Sequence, residues 1–306
     1  MPSSYEQVIW KKISLLHRLI YCAIKLPMLK RIVTATLKGP FFRENPFVKC
    51  CGVEADRDPQ APKQMRTHCL VINEADLAAI HKAATSHGAS LLGTVYAAAT
   101  QAICEQIIEA AAEQRIHVDT LPETAVNLPG ALKRDDVIGA GGEYSPIATL
   151  MYLLTTSIKV SSFDAGVIDF WAEARKAQRT IRSTMATRQS EFVFMPELLL
   201  GECATIYSRR FNVLLHITNL GNCGAYLDRP RDRSSGGGGG GGAGVKVTAQ
   251  FSAAAEQQGG PIFTNARATL DDKLCWTLSY TPYYVSQHAA LRYHKRSVEI
   301  LMQQCR

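Results

Sequence analysis

Three polar side chains occur together at the end of an apolar segment, LLHITNLGNCG at residues 214–224. The alternation of this segment predicts a β-strand in which His216 and Thr218 share one face and Asn219 lies on the other. Buried polar groups cost about 1–3 kcal/mol each when they are unpaired, so these three need partners. Neighbouring backbone groups at a sheet edge, water or a ligand could all serve, and the residues alone leave that choice open.

Other arrangements that could do chemistry are weaker. The sequence contains no GxSxG, HExxH or CxxC motif, which are the patterns of serine hydrolases, zinc proteases and many metal or redox sites. His117 and Asp119 are two residues apart, which is more typical of a solvated loop pair than of a catalytic dyad. The adjacent acids Asp135/Asp136 and Asp271/Asp272 are typical of turns. We therefore expect no metal site.

The cysteines indicate a reducing compartment. There are nine of them, an odd number with no CxxC pair, and the chain shows no cleavable signal pattern. A disulfide framework is therefore not expected, and an intracellular, cytoplasmic location is the simplest interpretation.

Charge is concentrated in the first 49 residues. They carry nine Lys and Arg against two Glu, which accounts for the net charge of +7, and the remaining residues carry 25 charges of each sign. Ile9, Ile13, Leu16, Ile20 and Ile24 form an apolar stripe, so residues 1–38 predict a basic amphipathic helical segment. It could dock on the body of the protein, lie on a membrane surface through residues 5–38, or act as a mitochondrial presequence.

The neutral remainder of the chain narrows the possible partners. It lacks the basic patches with interleaved aromatic residues that nucleic-acid binding requires, so no nucleic-acid partner is expected. Cys50 and Cys51 follow the basic segment and could be lipidated beside a membrane, or could simply be idle thiols.

The candidate residues lie in a chain that alternates predicted strands and helices. Residues 39–66 are rich in proline and charge and predict an extended connector. A strand is expected at 68–72 (HCLVI), followed by two helices with Asn73 and Ser90 as N-caps, the first ending at Gly88.

The alternation continues to the C-terminus. The expected strands are TAVNL (124–128), LMYLLTTSIKV (150–160), FNVLLHITNLG (211–221), VKVTAQF (245–251) and a hairpin, 266–280, with Asp271 and Asp272 at its turn. The expected helices are 163–182, with Asp164 as N-cap, and 285–304. Residues 234–244 include seven consecutive glycines, which predict a flexible surface insertion. The pattern predicts an α/β fold with a mixed β-sheet flanked by helices.

The order of these parts resembles the C-terminal half of the chloramphenicol-acetyltransferase-like superfamily, and most of all its alcohol acetyltransferase and condensation-domain branch. Five stretches carry the resemblance: HGASLLGTVYAAATQAI (87–103), AVNL (125–128), the helix with DFW (169–171), ITNLG (217–221), and LCWTLSY (274–280) followed by a helix. It covers residues 65–306. The domain organisation expected is a basic segment at 1–38, a connector at 39–66 and an acyltransferase-like subdomain at 67–306.

The resemblance implies an activity and a channel. Members transfer acyl groups from a thioester to an alcohol or amine, which implies acetyl-CoA or another acyl thioester as co-substrate and no bound cofactor. The strand end that ITNLG resembles lies near the substrate channel between the two halves of the fold. The expected channel residues are therefore His216, Thr218 and Asn219, together with Asn127 and Tyr280.

Two departures from the family pattern matter. The family uses a His-x-x-x-Asp motif, in which the His accepts the proton of the acceptor substrate, but none of the eight histidines here has Asp four residues later. Pro129 stands where members tend to have Arg after the AVNL strand. The chain begins about where the helix after the family's motif begins, so we expect no catalytic residue in it.

Three hypotheses follow. The protein could be the C-terminal half of an acyltransferase, produced by truncation and inactive alone. It could be a non-catalytic descendant that binds an acyl chain, a lipid surface or a protein. Finally, a complementary chain could supply the missing base. A half of this fold would also expose an apolar face, so self-association or cover by residues 5–38 is expected.

Overall fold

The computed structural model describes residues 45–52, 65–129, 153–164, 168–186, 213–223, 247–253, 261–282 and 284–305. In chain order their helices and strands are α1 (Pro46–Cys51), β1 (Arg66–Ile72), α2 (Glu74–Ser86), α3 (Leu91–Glu113), β2 (Thr124–Pro129), β3 (Leu153–Ile158), α4 (Ser161–Asp164), α5 (Phe170–Ala186), β4 (Val213–Asn222), β5 (Phe263–Leu270), β6 (Lys273–Tyr280) and α6 (Gln287–Gln304). A short 3₁₀ turn, Val118–Thr120, precedes β2.

Six strands form one mixed sheet in the order β1-β6-β5-β4-β2-β3. The strand β4 lies parallel to both of its neighbours, β2 and β5, whereas the outer pairs are antiparallel. Antiparallel pairs such as β5 and β6 can be joined by a tight hairpin, but parallel pairs need longer crossovers. The predicted α/β fold with a mixed sheet is confirmed.

The helices pack on one face of this sheet, which we call the core face. Asn265 of β5 donates from Nδ2 to the Tyr293 hydroxyl of α6 at 3.0 Å and accepts at Oδ1 from Trp276 Nε1 at 3.1 Å. The ring of Trp276 lies 5.4 Å from that of His294, also on α6. The side chains of β6 on this face are Leu274, Trp276, Leu278 and Tyr280, and all of them belong to the hydrophobic core.

Local signals start α2 and α3 where the sequence predicts. The Asn73 side chain accepts from the backbone N–H of Asp76, and that of Ser90 accepts from Gly93 N. Gly93 also allows α3 to approach α5 closely, because a Cβ at this position would overlap the carbonyl oxygen of Ala174. These caps satisfy amide groups that a helix leaves unpaired at its N-terminus.

The β5–β6 hairpin turns at Asp271 and Asp272, as predicted. Both residues have positive φ angles, 47° and 55°. This pair of angles is typical of the type I′ turn, whose twist matches that of the strands it joins.

Three sequence predictions are wrong in part. Residues 46–51, inside the predicted extended connector, form α1 and bury Phe47 in the core. The helix predicted at 163–182 is interrupted: Phe163 belongs to the short α4, and α5 begins at Phe170, where Asp169 accepts from Trp171 N at 2.8 Å. The sequence predicts a strand at 245–251. Residues 247–253, which the structure describes, do not form one.

Two predicted segments lie outside the described residues: the basic segment 1–38 and the glycine-rich stretch 234–244. Among the residues that are described, no helix is both long enough and apolar enough to cross a bilayer.

Candidate functional site

The second face of the sheet differs in chemistry from the core face, and we call it the polar face. On β6 it carries Cys275, Thr277 and Ser279, which are each 1% exposed, and none of them belongs to the core cluster. Register places Thr264 and Ala266 of β5 on the same face, because they pair with Ser279 and Thr277. Small and hydroxyl-bearing side chains therefore stand at these positions in place of the Leu and Trp residues of the core face, although Leu214 and Leu270 also lie on the polar face.

His216 and Thr218 belong to this polar face. They pair with Thr264 and Ala266 across the parallel β4–β5 junction. His216 Nε2 lies 2.9 Å from Thr218 Oγ1, a hydrogen-bond distance. The predicted sharing of one strand face by these two residues is thus observed, and the imidazole has a neighbouring hydroxyl on its own strand.

Burial determines the charge of this imidazole. It lowers the pKa of His216 from 6.5 to about 4, because a charged ring loses hydration inside the protein. His216 is therefore neutral at pH 7 and can both donate and accept one hydrogen bond. A pKa near 4 makes it a poor general base at neutral pH, since such a base works best when its pKa lies near the working pH.

The other predicted channel residues do not all join this pair. Asn219 is exposed, and its Oδ1 accepts from the Gly221 N–H at 3.1 Å. Tyr280 is 2% exposed and lies in the core, opposite Phe263. Both residues fall on the core face by register, so the structure separates them from His216 and Thr218.

Asn127 is the remaining predicted channel residue. The β2–β4 register pairs it with His216 in adjacent parallel strands. The structure thus places the Asn127 backbone beside the His216–Thr218 pair.

Sequence reasoning missed Thr264, Thr277 and Ser279 as members of the polar face. Their signal was present in the hairpin, where FTNARATL and KLCWTLSY alternate large or polar residues with small ones. A hairpin turn fixes strand register, so the turn predicted at Asp271 and Asp272 was already enough to place these side chains on one face. Thr67 of β1 extends the hydroxyl row, with its Oγ1 3.4 Å from Ser279 Oγ.

A second histidine arrangement lies on the core face. His68 Nδ1 and His294 Nδ1 are 2.9 Å apart, so one ring donates and the other accepts. Burial and, to a smaller extent, the neighbouring His68 lower the pKa of His294 to about 3. Burial also lowers the pKa of His68. Both rings are neutral at pH 7, and this pair links β1 to α6.

An open cavity of about 610 Å³ lies between α3 and α6. Its walls include the ion pair of Arg296 with Glu105, at 2.8 Å, and that of Arg292 with Glu109. None of the predicted channel residues lines it. Because its charges are mostly paired with each other, we do not assign it as the functional site.

Comparison with solved structures shows what the fold is similar to. Trichothecene 15-O-acetyltransferase TRI3 from Fusarium sporotrichioides superposes with a TM-score of 0.60 at 11% identity, covering 91% of this chain and 52% of that one. The X-domain from teicoplanin biosynthesis gives 0.52 at 16% identity, with 94% and 57% covered. The EpoB cyclization-docking bidomain from Sorangium cellulosum gives 0.51 at 10%, with 94% and 50% covered.

These likenesses confirm the chloramphenicol-acetyltransferase-like, condensation-domain-like fold. The chain spans about half the length of these structures. No family model matches the sequence, and no curated protein matches it.

Proposed function

We propose that this protein belongs to an acyl-transfer system, in which the polar face of its sheet binds an acyl thioester or its acceptor. The observation that carries the proposal is the neutral, half-buried His216 hydrogen-bonded to Thr218 on a face of small hydroxyl-bearing residues. An acyl-transfer fold supports the reaction class, since one similar structure is an O-acetyltransferase.

The chemistry sets what the polar face can contribute. In acyl transfer, the oxygen or nitrogen of the acceptor attacks the thioester carbonyl, the new C–O or C–N bond forms, and the C–S bond breaks. A base takes the proton from the acceptor, and the thiolate leaving group is finally protonated. Neutral His216 and the hydroxyls beside it can hold polar groups of the substrate through hydrogen bonds.

We also propose that the chain does not catalyse this transfer by itself. A positioned base contributes about 10²- to 10⁴-fold in rate. No histidine of the sequence has the family's Asp four residues later, and the low pKa of His216 makes it a weak substitute. The base would then come from a second unit, either a further part of a longer chain or a separate protein.

Ligand binding tests the proposal directly. Isothermal titration of the full chain with acetyl-CoA and octanoyl-CoA is expected to show saturable binding. The variants His216→Ala and Thr218→Val should weaken it by about fivefold to tenfold, which corresponds to about 1 kcal/mol for one hydrogen bond. The matched control is His81→Ala, an exposed histidine on α2, which should bind as the wild type does.

Two results would refute the proposed site. One is wild-type protein that binds neither thioester and no alcohol or amine acceptor from a broad panel. The other is saturable binding that His216→Ala and Thr218→Val leave unchanged while both variants remain folded by circular dichroism.

The second candidate is a non-catalytic binding protein built on the same fold. It is favoured by the same two observations, the missing motif and the depressed pKa of His216. Octanoate and octanoyl-CoA separate the two candidates, because a binding protein for acyl chains should accept both, whereas a thioester site should prefer octanoyl-CoA.

Peripheral membrane contact through residues 5–38 is a further proposal, supported by the basic, amphipathic sequence of that segment. Self-association is another, supported by the apolar face that half of this fold would expose. Cosedimentation with vesicles containing 30% phosphatidylserine tests the first. Loss of binding on deleting residues 1–38 would support it, and equal binding to neutral vesicles would contradict it. Sedimentation velocity of the protein that lacks residues 1–38 tests self-association, and a monodisperse monomer at high concentration would contradict it.

A further inference from the structure

One arginine occupies an unusual position in the middle of β5. Arg267 lies on the core face, where register places it between Asn219 of β4 and Trp276 of β6. It is only 4% exposed. Arginine is almost never this buried unless it is paired.

Arg267 has unmet hydrogen-bonding capacity. Its Nε and Nη1 atoms are buried and have no hydrogen-bond partner, and no described carboxylate forms an ion pair with it. The contrast with Asn265, two residues earlier on the same face, is sharp, because that amide is bonded to both Trp276 and Tyr293. The sheet gives both polar atoms of the buried amide a partner and leaves two of the three guanidinium nitrogens without one.

An isolated buried charge is expensive because it loses hydration without gaining a counter-charge. Burial lowers the pKa of Arg267 to about 9, so the side chain is still a cation at pH 7. An anionic group on this side chain would remove most of that cost. Guanidinium donors favour planar or tetrahedral oxyanions, which they bind through two N–H groups at once.

The neighbouring strand opens beside this residue. The register of β4 with β5 shifts between Asn219 and Asn222, as at a β-bulge or a similar irregularity, and Gly221 within this stretch has a φ of 75°. Asn219, the register partner of Arg267, is exposed. Bulges interrupt strand pairing and often occur beside functional sites, and the exposed Asn219 lies beside Arg267 at this interruption.

We propose that Arg267 binds an oxyanion, the carboxylate or phosphate of a small molecule, which enters beside the register shift at Asn219–Asn222. The site lies on the core face, opposite the polar face of His216 and Thr218. It therefore stands independently of the proposed acyl-transfer site, and either can fail without the other.

Thermal unfolding of the full chain tests this site. The wild type is compared at pH 7.5 in chloride, acetate and phosphate at equal ionic strength. Phosphate or acetate is expected to raise the Tm of the wild type by about 3 °C or more at concentrations well above the Kd. A rise in acetate alone assigns a carboxylate site, and a rise in phosphate alone assigns a phosphate site.

Two variants separate this site from general salt effects. Arg267→Met keeps a long unbranched apolar stem without the charged guanidinium, and its Tm should equal or exceed that of the wild type in chloride and show no anion-dependent rise. Arg179→Met makes the same change at an exposed arginine on α5, and it should keep the wild-type response to anions. Anion responses that are equal in Arg267→Met and the wild type would overturn the proposal.

A direct titration keeps the test valid if Arg267→Met does not fold. Wild-type protein is titrated with inorganic phosphate and with acetate by isothermal calorimetry. Saturable binding of one of them supports the site, provided that Arg267→Lys, which cannot form the planar double contact, weakens it by at least about tenfold. Absence of saturable binding by both anions refutes it.

Discussion

The pH dependence of stability tests the environment assigned to His216. Its pKa is lowered from 6.5 to about 4 by burial, so between these values the unfolded chain binds the proton and the folded protein does not. Stability is therefore complete above about pH 6.5 and is lost as the pH falls toward 4. Between pH 7 and pH 5 the two pKa values give a loss of about 2 kcal/mol from this one group.

The variant His216→Gln isolates that contribution. Glutamine does not titrate in this range, so the difference in unfolding free energy between pH 7 and pH 5 should shrink by about 2 kcal/mol relative to the wild type. His294, whose pKa is lowered to about 3 by burial and by His68, contributes a loss of the same sign that this variant leaves in place. The wild type is thus expected to lose more stability than His216→Gln, but the variant should still lose some.

Urea unfolding followed by tryptophan fluorescence at the two pH values supplies the measurement. The matched control is His81→Gln, because His81 is exposed on α2 and its removal should leave the wild-type difference intact. Equal losses in the wild type and His216→Gln would show that this imidazole is hydrated in the folded protein. That result would refute both its burial and the geometry of the polar face.

Three further predictions concern the elements that hold the sheet and helices, and urea unfolding measures each. Gly93→Ala should lower the free energy of unfolding by about 1–3 kcal/mol, because its new methyl group separates α3 from α5. Gly88→Ala should lower it by about 1 kcal/mol, because space is open there but φ is 65°. A larger loss for Gly88→Ala than for Gly93→Ala would contradict this packing. Replacing Asp271 by Asn and Asp272 by Gly should stabilise the hairpin by about 0.5–1 kcal/mol. A loss of stability would mean that the hairpin does not use a type I′ turn. Asn265→Ala should cost about 3 kcal/mol because it leaves the buried Trp276 N–H without an acceptor and removes the donor to the Tyr293 hydroxyl, and a cost under about 1 kcal/mol would contradict that network.

The parts of the fold that the sequence predicted are those set by short-range signals. Asn73 and Ser90 start helices because their side chains cap the first amides, and Asp271 and Asp272 turn the hairpin because both tolerate positive φ. Each of these features depends on a few adjacent residues, so one sequence is enough to find them.

Features that depend on distant partners were harder to predict. Residues 247–251 alternate like a strand, but a strand also needs a neighbouring strand with which to pair, and no pairing forms in this described stretch. The start of α5 was misplaced because Asp164 was predicted as its cap, whereas in the structure Asp169 accepts from Trp171 N at the start of this helix.

The candidate site shows the same limit. Period two correctly placed His216 and Thr218 on one strand face, because alternation is a property of the strand itself. The position of Tyr280 depended on pairing with Phe263, which joins it to the core face. Arg267 gave no signal in the sequence, since its isolation appears only when the strands on both sides are assembled.

Ester formation by the purified chain tests the central claim most directly. The chain is incubated with acetyl-CoA and a panel of primary alcohols and amines, and acetylated product is quantified by mass spectrometry against a protein-free control. We predict no product above the control, because the site proposed on the polar face offers His216, with a pKa of about 4, in place of an effective base. Product formation that His216→Gln abolishes would contradict this account and identify His216 as the base.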